Sequence, residues 1–264
     1  MRRDPLCVVG LIFCLALLMD APALAGPNSP EDQSGGQTVS SSPSPDFFLG
    51  RPRASLGFRG NWFLASAKSD IYDFVTEHLT LQRSSFNTPT IGGELSVNVS
   101  PRIDVVAGFE FGKSTTPSEY RKFIDNKGLP IEQQTSLEQT DVTASVRYSL
   151  IPKGRSISRL AWIPRTVTPY VGAGAGLMRY ELLQTGDFVD FQTNRVFGDV
   201  FQSDGWARSA HLLGGADIQV YKHFFMSFEG RYVWSSATLS QKFVDFEPID
   251  LGGARFGAGV HVVF

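Results

Sequence analysis

From residue 53 to the carboxy terminus, apolar side chains recur at every second position in one segment after another, and none of these segments holds the unbroken apolar run that a membrane-spanning helix needs. The last segment is the clearest. Phe256, Ala258, Val260, Val262 and Phe264 fall on one strand face, and Gly253, Arg255, Gly257, Gly259 and His261 fall on the other. Such a chain must form sheet with one continuous apolar face. A soluble barrel of the lipocalin kind would turn that face inward and leave rows of Arg and Glu in water. A membrane barrel turns it outward and closes the charged rows inside.

Eight alternating segments are predicted, beginning near residues 53, 90, 103, 138, 169, 207, 224 and 253. In the first, Leu56, Phe58, Trp62 and Leu64 oppose Ser55, Gly57, Arg59 and Asn61. The third sets Ile103, Val105, Ala107, Phe109 and Phe111 against Asp104, Gly108 and Glu110. The fifth alternates Val171, Ala173, Ala175 and Leu177 with Gly172, Gly174 and Gly176, and then Met178-Arg-Tyr180 fits neither row, which predicts a bulge near Met178. Mean hydropathy is close to zero because the two rows cancel in any averaged window, as a transmembrane barrel requires. The expected fold class is therefore all-β: a closed antiparallel eight-stranded transmembrane β-barrel, monomeric, over residues 53–264.

Two segments precede it. Residues 1–25 carry Arg2 and Arg3, an apolar stretch from Leu6 to Met19 and the small residues around Ala25, the pattern of a cleaved export signal. Residues 26–52, rich in Ser, Pro, Gly and Gln, read as a flexible linker. Both cysteines, Cys7 and Cys14, lie in the signal, so the exported chain would form no disulfide and no thiolate metal site. A net charge of -2 with no basic face argues against nucleic acid as a partner.

The connections alternate between short and long. Turns at 100–102 and 221–223 and a medium link at 151–168 mark one end; loops at 68–89, 113–137, 184–206 and 238–250 mark the other. The first long loop holds the one helical pattern, Ile71, Phe74, Val75, His78 and Leu79 after Ser69 and Asp70, so a short helix over the rim is expected there. The last two long loops mix acidic residues with Phe188, Phe191, Phe197, Phe201, Phe243 and Phe246. Exposed aromatics of that number need each other, lipid or a partner, so longer strands that project above the membrane and pack through these residues are expected, with a ligand or protein contact, or a weak divalent-cation site bridging lipopolysaccharide phosphates, as the alternatives.

Inward rows gather Arg59, Arg147, Arg231 and Arg255 with Glu94, Asp104, Glu110, Asp141, Asp217 and Glu229. An eight-stranded barrel is just wide enough for side chains to fill, so these groups are expected to pair as a charge network that plugs the bore. Catalytic chemistry is not expected. His211 and His261 fall on inner rows without a Ser or acid suggested beside them, His78 and His223 lie in a loop and a turn, and no cofactor or metal set is suggested.

The alternating strands, the Pro169-Tyr-Val-Gly-Ala-Gly-Ala-Gly176 segment and the end Gly257-Ala-Gly-Val-His-Val-Val-Phe264 together resemble the small eight-stranded outer-membrane barrels of the OmpA transmembrane domain, OmpX and OmpW class. The resemblance implies a bacterial outer membrane of the Gram-negative type, termini and short turns in the periplasm, and long loops outside the cell. It implies Val260, Val262 and Phe264 as a signal read by the barrel-assembly machinery, with outer-membrane lipid and lipopolysaccharide as surroundings. Members serve as anchors, surface-binding proteins, narrow channels for small or apolar solutes and, less often, lipid-modifying enzymes. The expectation for this chain is envelope structure or surface binding through the loops, with a surface ligand the sequence does not name.

Overall fold

A computed structural model describes residues 48–264 apart from 125–126, 159–160, 194 and 245. The expected export signal, 1–25, and the linker up to residue 47 lie outside the described residues.

Eight strands follow one another: β1 (Ala54–Ala65), β2 (Thr88–Asn98), β3 (Ile103–Ile124), β4 (Pro130–Ser149), β5 (Val167–Asp190), β6 (Arg195–Tyr221), β7 (Phe224–Ala237) and β8 (Gly253–Val263). Each pairs antiparallel with the next. β8 then returns to β1, with Phe256 opposite Trp62 and Val260 opposite Phe58, so the sheet closes on itself around the apolar belt. Closure reaches the last residue. Phe264 accepts hydrogen bonds at its carbonyl from the Arg53 and Ala54 amides at 2.9 and 3.0 Å, and its own amide donates to the Ala54 carbonyl at 2.9 Å.

The apolar rows face outward. Phe58, Trp62, Ile91, Phe109, Val146, Leu212, Phe228, Phe256 and Val260 are all exposed on the wall, and the opposing charged rows are buried inside. Along β7 the exposed row runs from Phe224 to Trp234. At roughly 3.3 Å per residue and a tilt near 40°, that row is about 25 Å tall, the height of a bilayer's apolar layer.

Two of the long connections are strand over most of their length, as expected for 184–206, where longer strands project above the membrane, and in place of the plain loop expected at 113–137. The β3–β4 pairing continues from Lys113 opposite Glu138 to Glu119 opposite Glu132, and the β5–β6 pairing continues to Asp190 opposite Arg195. Residues 113–137 and 184–206 therefore build tall hairpins above the apolar belt. The expected bulge near Met178 is absent, since Met178 sits in register between Asp141 and Ala207. What changes at Met178 is the chemistry of the faces. Below it the outward row is Val171, Ala173, Ala175 and Leu177 and the inward row is glycine; above it Arg179 points outward while Met178, Tyr180 and Leu182 are buried inside. The pattern inverts because the wall leaves lipid for water there, and the interior becomes an apolar core.

That core fills the extracellular mouth. Helix α1 (Asp70–His78) buries Ile71, Tyr72 and Val75 against Leu137, Met178, Tyr180, Leu182, Val233, Ile249 and Leu251. The helix starts after Ser69, and its seat is set by the buried Tyr72 hydroxyl, which donates to the Asp250 carbonyl at 2.8 Å. At the opposite end the 150–166 connection carries a small hairpin, Gly154–Ser156 with Ala161–Pro164. Phe48–Leu49 adds to it as a third strand, so the end of the expected linker is paired backbone.

Candidate functional site

The inward charges meet in two clusters. In the first, the Arg147 guanidinium spans Glu94, at 3.0 and 2.6 Å, and Glu229, at 3.0 Å. Arg59 joins the same two carboxylates, Arg231 reaches Glu229 at 2.9 Å, and the Tyr170 hydroxyl donates to Glu229 at 3.0 Å. In the second cluster Arg255 lies 3.1 Å from Asp141 and 3.5 Å from Glu110. Those carboxylates also accept hydrogen bonds from the Ser209 hydroxyl at 3.0 Å and the Thr90 hydroxyl at 2.5 Å.

Four arginines, Arg59, Arg147, Arg231 and Arg255, thus face four carboxylates, Glu94, Glu110, Asp141 and Glu229. The charges balance, as they must where a lone buried ion is so costly. Five strands supply the first cluster, β1, β2, β4, β5 and β7, so the network ties together strands far apart in sequence. The inward glycines of β5 make room for it.

Two of the ten predicted network residues stand apart. Asp104 pairs with Lys153, a residue of the 151–168 connection that alternation does not reveal. Asp217 joins no ion pair among the described residues, where its buried Oδ1 also finds no hydrogen-bond partner. Lys153, Tyr170 and Thr90 are the members sequence reasoning missed. Tyr170 and Thr90 were legible as inward positions, but a search for charges passes over them.

The reading of the histidines needs one correction. Ser145 and His211 do lie together, Oγ to Nε2 at 2.8 Å, because β4 and β6 both flank β5, whose Gly174 lets the two side chains meet. Both are buried inside the barrel, and among the described residues His211 Nδ1 has no hydrogen-bond partner. His261 stacks on Phe225, and His78 stacks on Phe74.

Above the charged layer the aromatics of the hairpins and of α1 converge. Phe191 packs edge-on against Phe74, Tyr120 and Phe123; Phe74 meets Phe246; Phe201 meets Phe188 and Phe243. They enclose an apolar cavity of about 160 Å³ that opens at the extracellular end, with Gln133, Gln184 and Lys242 as its polar members. Lys242 lies over the Phe201 ring and donates to the Val200 carbonyl at 2.7 Å.

The acidic residues of these loops mostly build backbone. Asp190 shapes the β5–β6 tip by accepting hydrogen bonds from the Thr193 hydroxyl at 2.6 Å and the Gln192 amide at 2.8 Å, and these bonds hold its carboxyl below the usual range. Asp70 caps the Glu247 amide, and Asp250 accepts from the Gly252 amide. Asp245 lies outside the described residues.

A closed eight-stranded antiparallel barrel with an apolar belt outside and paired charges inside is a transmembrane β-barrel of the outer-membrane type, and its place is the outer membrane. Among solved structures it is similar to Neisserial surface protein A, at 14% identity and a TM-score of 0.45 over 80% of this chain and 96% of that one. The outer membrane protein OprG from Pseudomonas aeruginosa matches at 11% identity and a TM-score of 0.46 over 82% of this chain and 99% of its own. Ail, the attachment invasion locus protein of Yersinia pestis, matches at 13% and 0.41 over 80% and 99%. No protein-family model matches the sequence, and no curated relative does.

Proposed function

We propose that this protein is a non-enzymatic surface-binding barrel that takes a small apolar ligand of aromatic size into its extracellular mouth, above a lumen closed by the charge network. The aromatic cavity carries this reading. At about 160 Å³ it matches the apolar cavities, near 150 Å³, that accept a benzene-sized guest. Its walls come from four separate segments, so a guest there would also hold the hairpins and α1 together. Beneath it, Arg147, Glu94 and Glu229 meet across the bore, an arrangement that favours capture at the surface over passage through the lumen.

The test is binding of para-fluorotoluene to detergent-folded protein, followed by ¹⁹F NMR. Saturable binding is expected, and the double variant Phe191→Asp/Phe246→Asp should weaken it by about tenfold or more, since it places two carboxylates at the mouth of an apolar cavity. Both side chains lie at the rim, so the barrel should still fold, as a heat-modifiable gel shift would show. No saturable binding by the wild-type protein would overturn the proposal. A discrete conductance in planar bilayers would favour the narrow-channel reading instead.

A further inference from the structure

A second site lies on the outside of the wall, at the notch where β7 and β8 part. Their ladder ends at Val233 opposite Gly253, and β7 resumes pairing only with Ile249–Asp250, through Ser236 opposite Asp250. Between these points the pairing is irregular: the Leu251 amide still donates to the Ser235 carbonyl at 2.9 Å, while the Gly252 carbonyl turns to accept from the Ser66 amide at 3.0 Å. Outside this irregular stretch lies a groove of about 410 Å³, lined by Lys68, Arg208, Tyr232, Trp234, Ser236 and Asp250.

Height and chemistry identify what meets this groove. Trp234 and Tyr232 end the outward apolar row of β7, and Trp206, also exposed, lies two residues above Arg208 on β6. Arg208 pairs in register with Ser236, one step above Trp234. The groove therefore sits in the aromatic belt, where apolar chains give way to headgroups. The guanidinium of Arg208 and the ammonium of Lys68 make no ion pair among the described residues. Asp250, the acidic group of the groove, already accepts from the Ser66 hydroxyl, the Lys68 amide at 3.3 Å and the Gly252 amide at 2.9 Å, so its carboxylate is spent on the irregular backbone. Arg179, outward on β5 and diagonal to Arg208 across the ladder, adds a further cation to the same side.

We propose that this groove binds the phosphate of a phosphorylated glycolipid of the outer leaflet, with Lys68 and Arg208 as the phosphate ligands and Tyr232 and Trp234 flanking the sugar and upper acyl chain. Two cations beside an aromatic ledge suit a headgroup that is anionic above and apolar below. A ligand here would bridge β6, β7 and the first loop across this irregular stretch of the wall.

Native mass spectrometry tests this on protein folded in micelles that contain bis-phosphorylated lipid A or the same lipid enzymatically dephosphorylated. The wild type should retain the phosphorylated form at least tenfold better. The Lys68→Gln/Arg208→Gln variant should lose that preference, whereas Lys222→Gln, on a turn at the far end, should keep it. Inorganic phosphate at millimolar concentration should leave retention unchanged, since it lacks the acyl chains. Equal retention of the two lipids by the wild type, an undiminished preference in the double variant, or displacement by inorganic phosphate would each overturn the proposal.

Discussion

Glu229 is the residue on which the lumen turns, since Arg59, Arg147 and Arg231 all reach its carboxylate and Tyr170 donates to it. Glu229→Gln keeps the volume and removes the charge, so it leaves buried guanidinium groups short of a counter-ion. The expected loss is about 3–5 kcal/mol of folding stability, measured by reversible urea unfolding in lipid vesicles. Replacing Arg147 and Glu94 together by methionine should cost less than either single change, because the pair leaves no uncompensated charge behind. Both the signs and the inward rows of these residues were legible from period-2 spacing. Lys153 was not legible, because it reaches Asp104 from a connection whose path no periodicity describes.

At the scale of the element, β5 holds the most information. Its inward glycines are demanded by close approach: a Cβ on Gly174 would stand 2.5 Å from the Ala144 carbonyl and 2.6 Å from both Ser145 Oγ and His211 Nε2. Gly174→Val should therefore sharply reduce the fraction that folds, scored by the heat-modifiable gel shift, while Ala175→Val, on the lipid face, should leave it unchanged. The upper half of the strand shows why alternation alone does not set the height of the hairpins. A period-2 pattern reports which face is apolar, and that face switches from outside to inside where β5 leaves the membrane. At Met178 the switch puts two apolar residues, Leu177 and Met178, side by side, which in sequence looks like a slipped register. On β3 the alternation fades instead: outward Phe109 and Phe111 give way to Lys113, Thr115, Pro117 and Glu119 while the inward Ser114, Thr116 and Ser118 are polar too, and this hid the other tall hairpin.

For the whole molecule, three levels stack along one axis. A small sheet of Phe48–Leu49 with the 154–164 hairpin lies at the periplasmic end, the charge network fills the middle, and an apolar core capped by α1 fills the mouth. Assembly joins these levels at the last residue, whose backbone is pinned to Arg53 and Ala54 while its ring remains exposed on the outer wall. Phe264→Ala keeps those backbone bonds. If the ring acts as the assembly signal, purified variant should refold in detergent as the wild type does, yet its amount in the outer membrane of cells should fall severalfold; equal amounts in cells would remove that role. The sequence by itself determined that this chain is a membrane barrel with charged rows inside, because strand alternation is local and survives any arrangement of loops. Only the tertiary structure decided which charges meet, where the ladder becomes irregular, and that loop aromatics and a helix close over the mouth as an apolar cavity. Those contacts join residues far apart in sequence, and no local pattern records them.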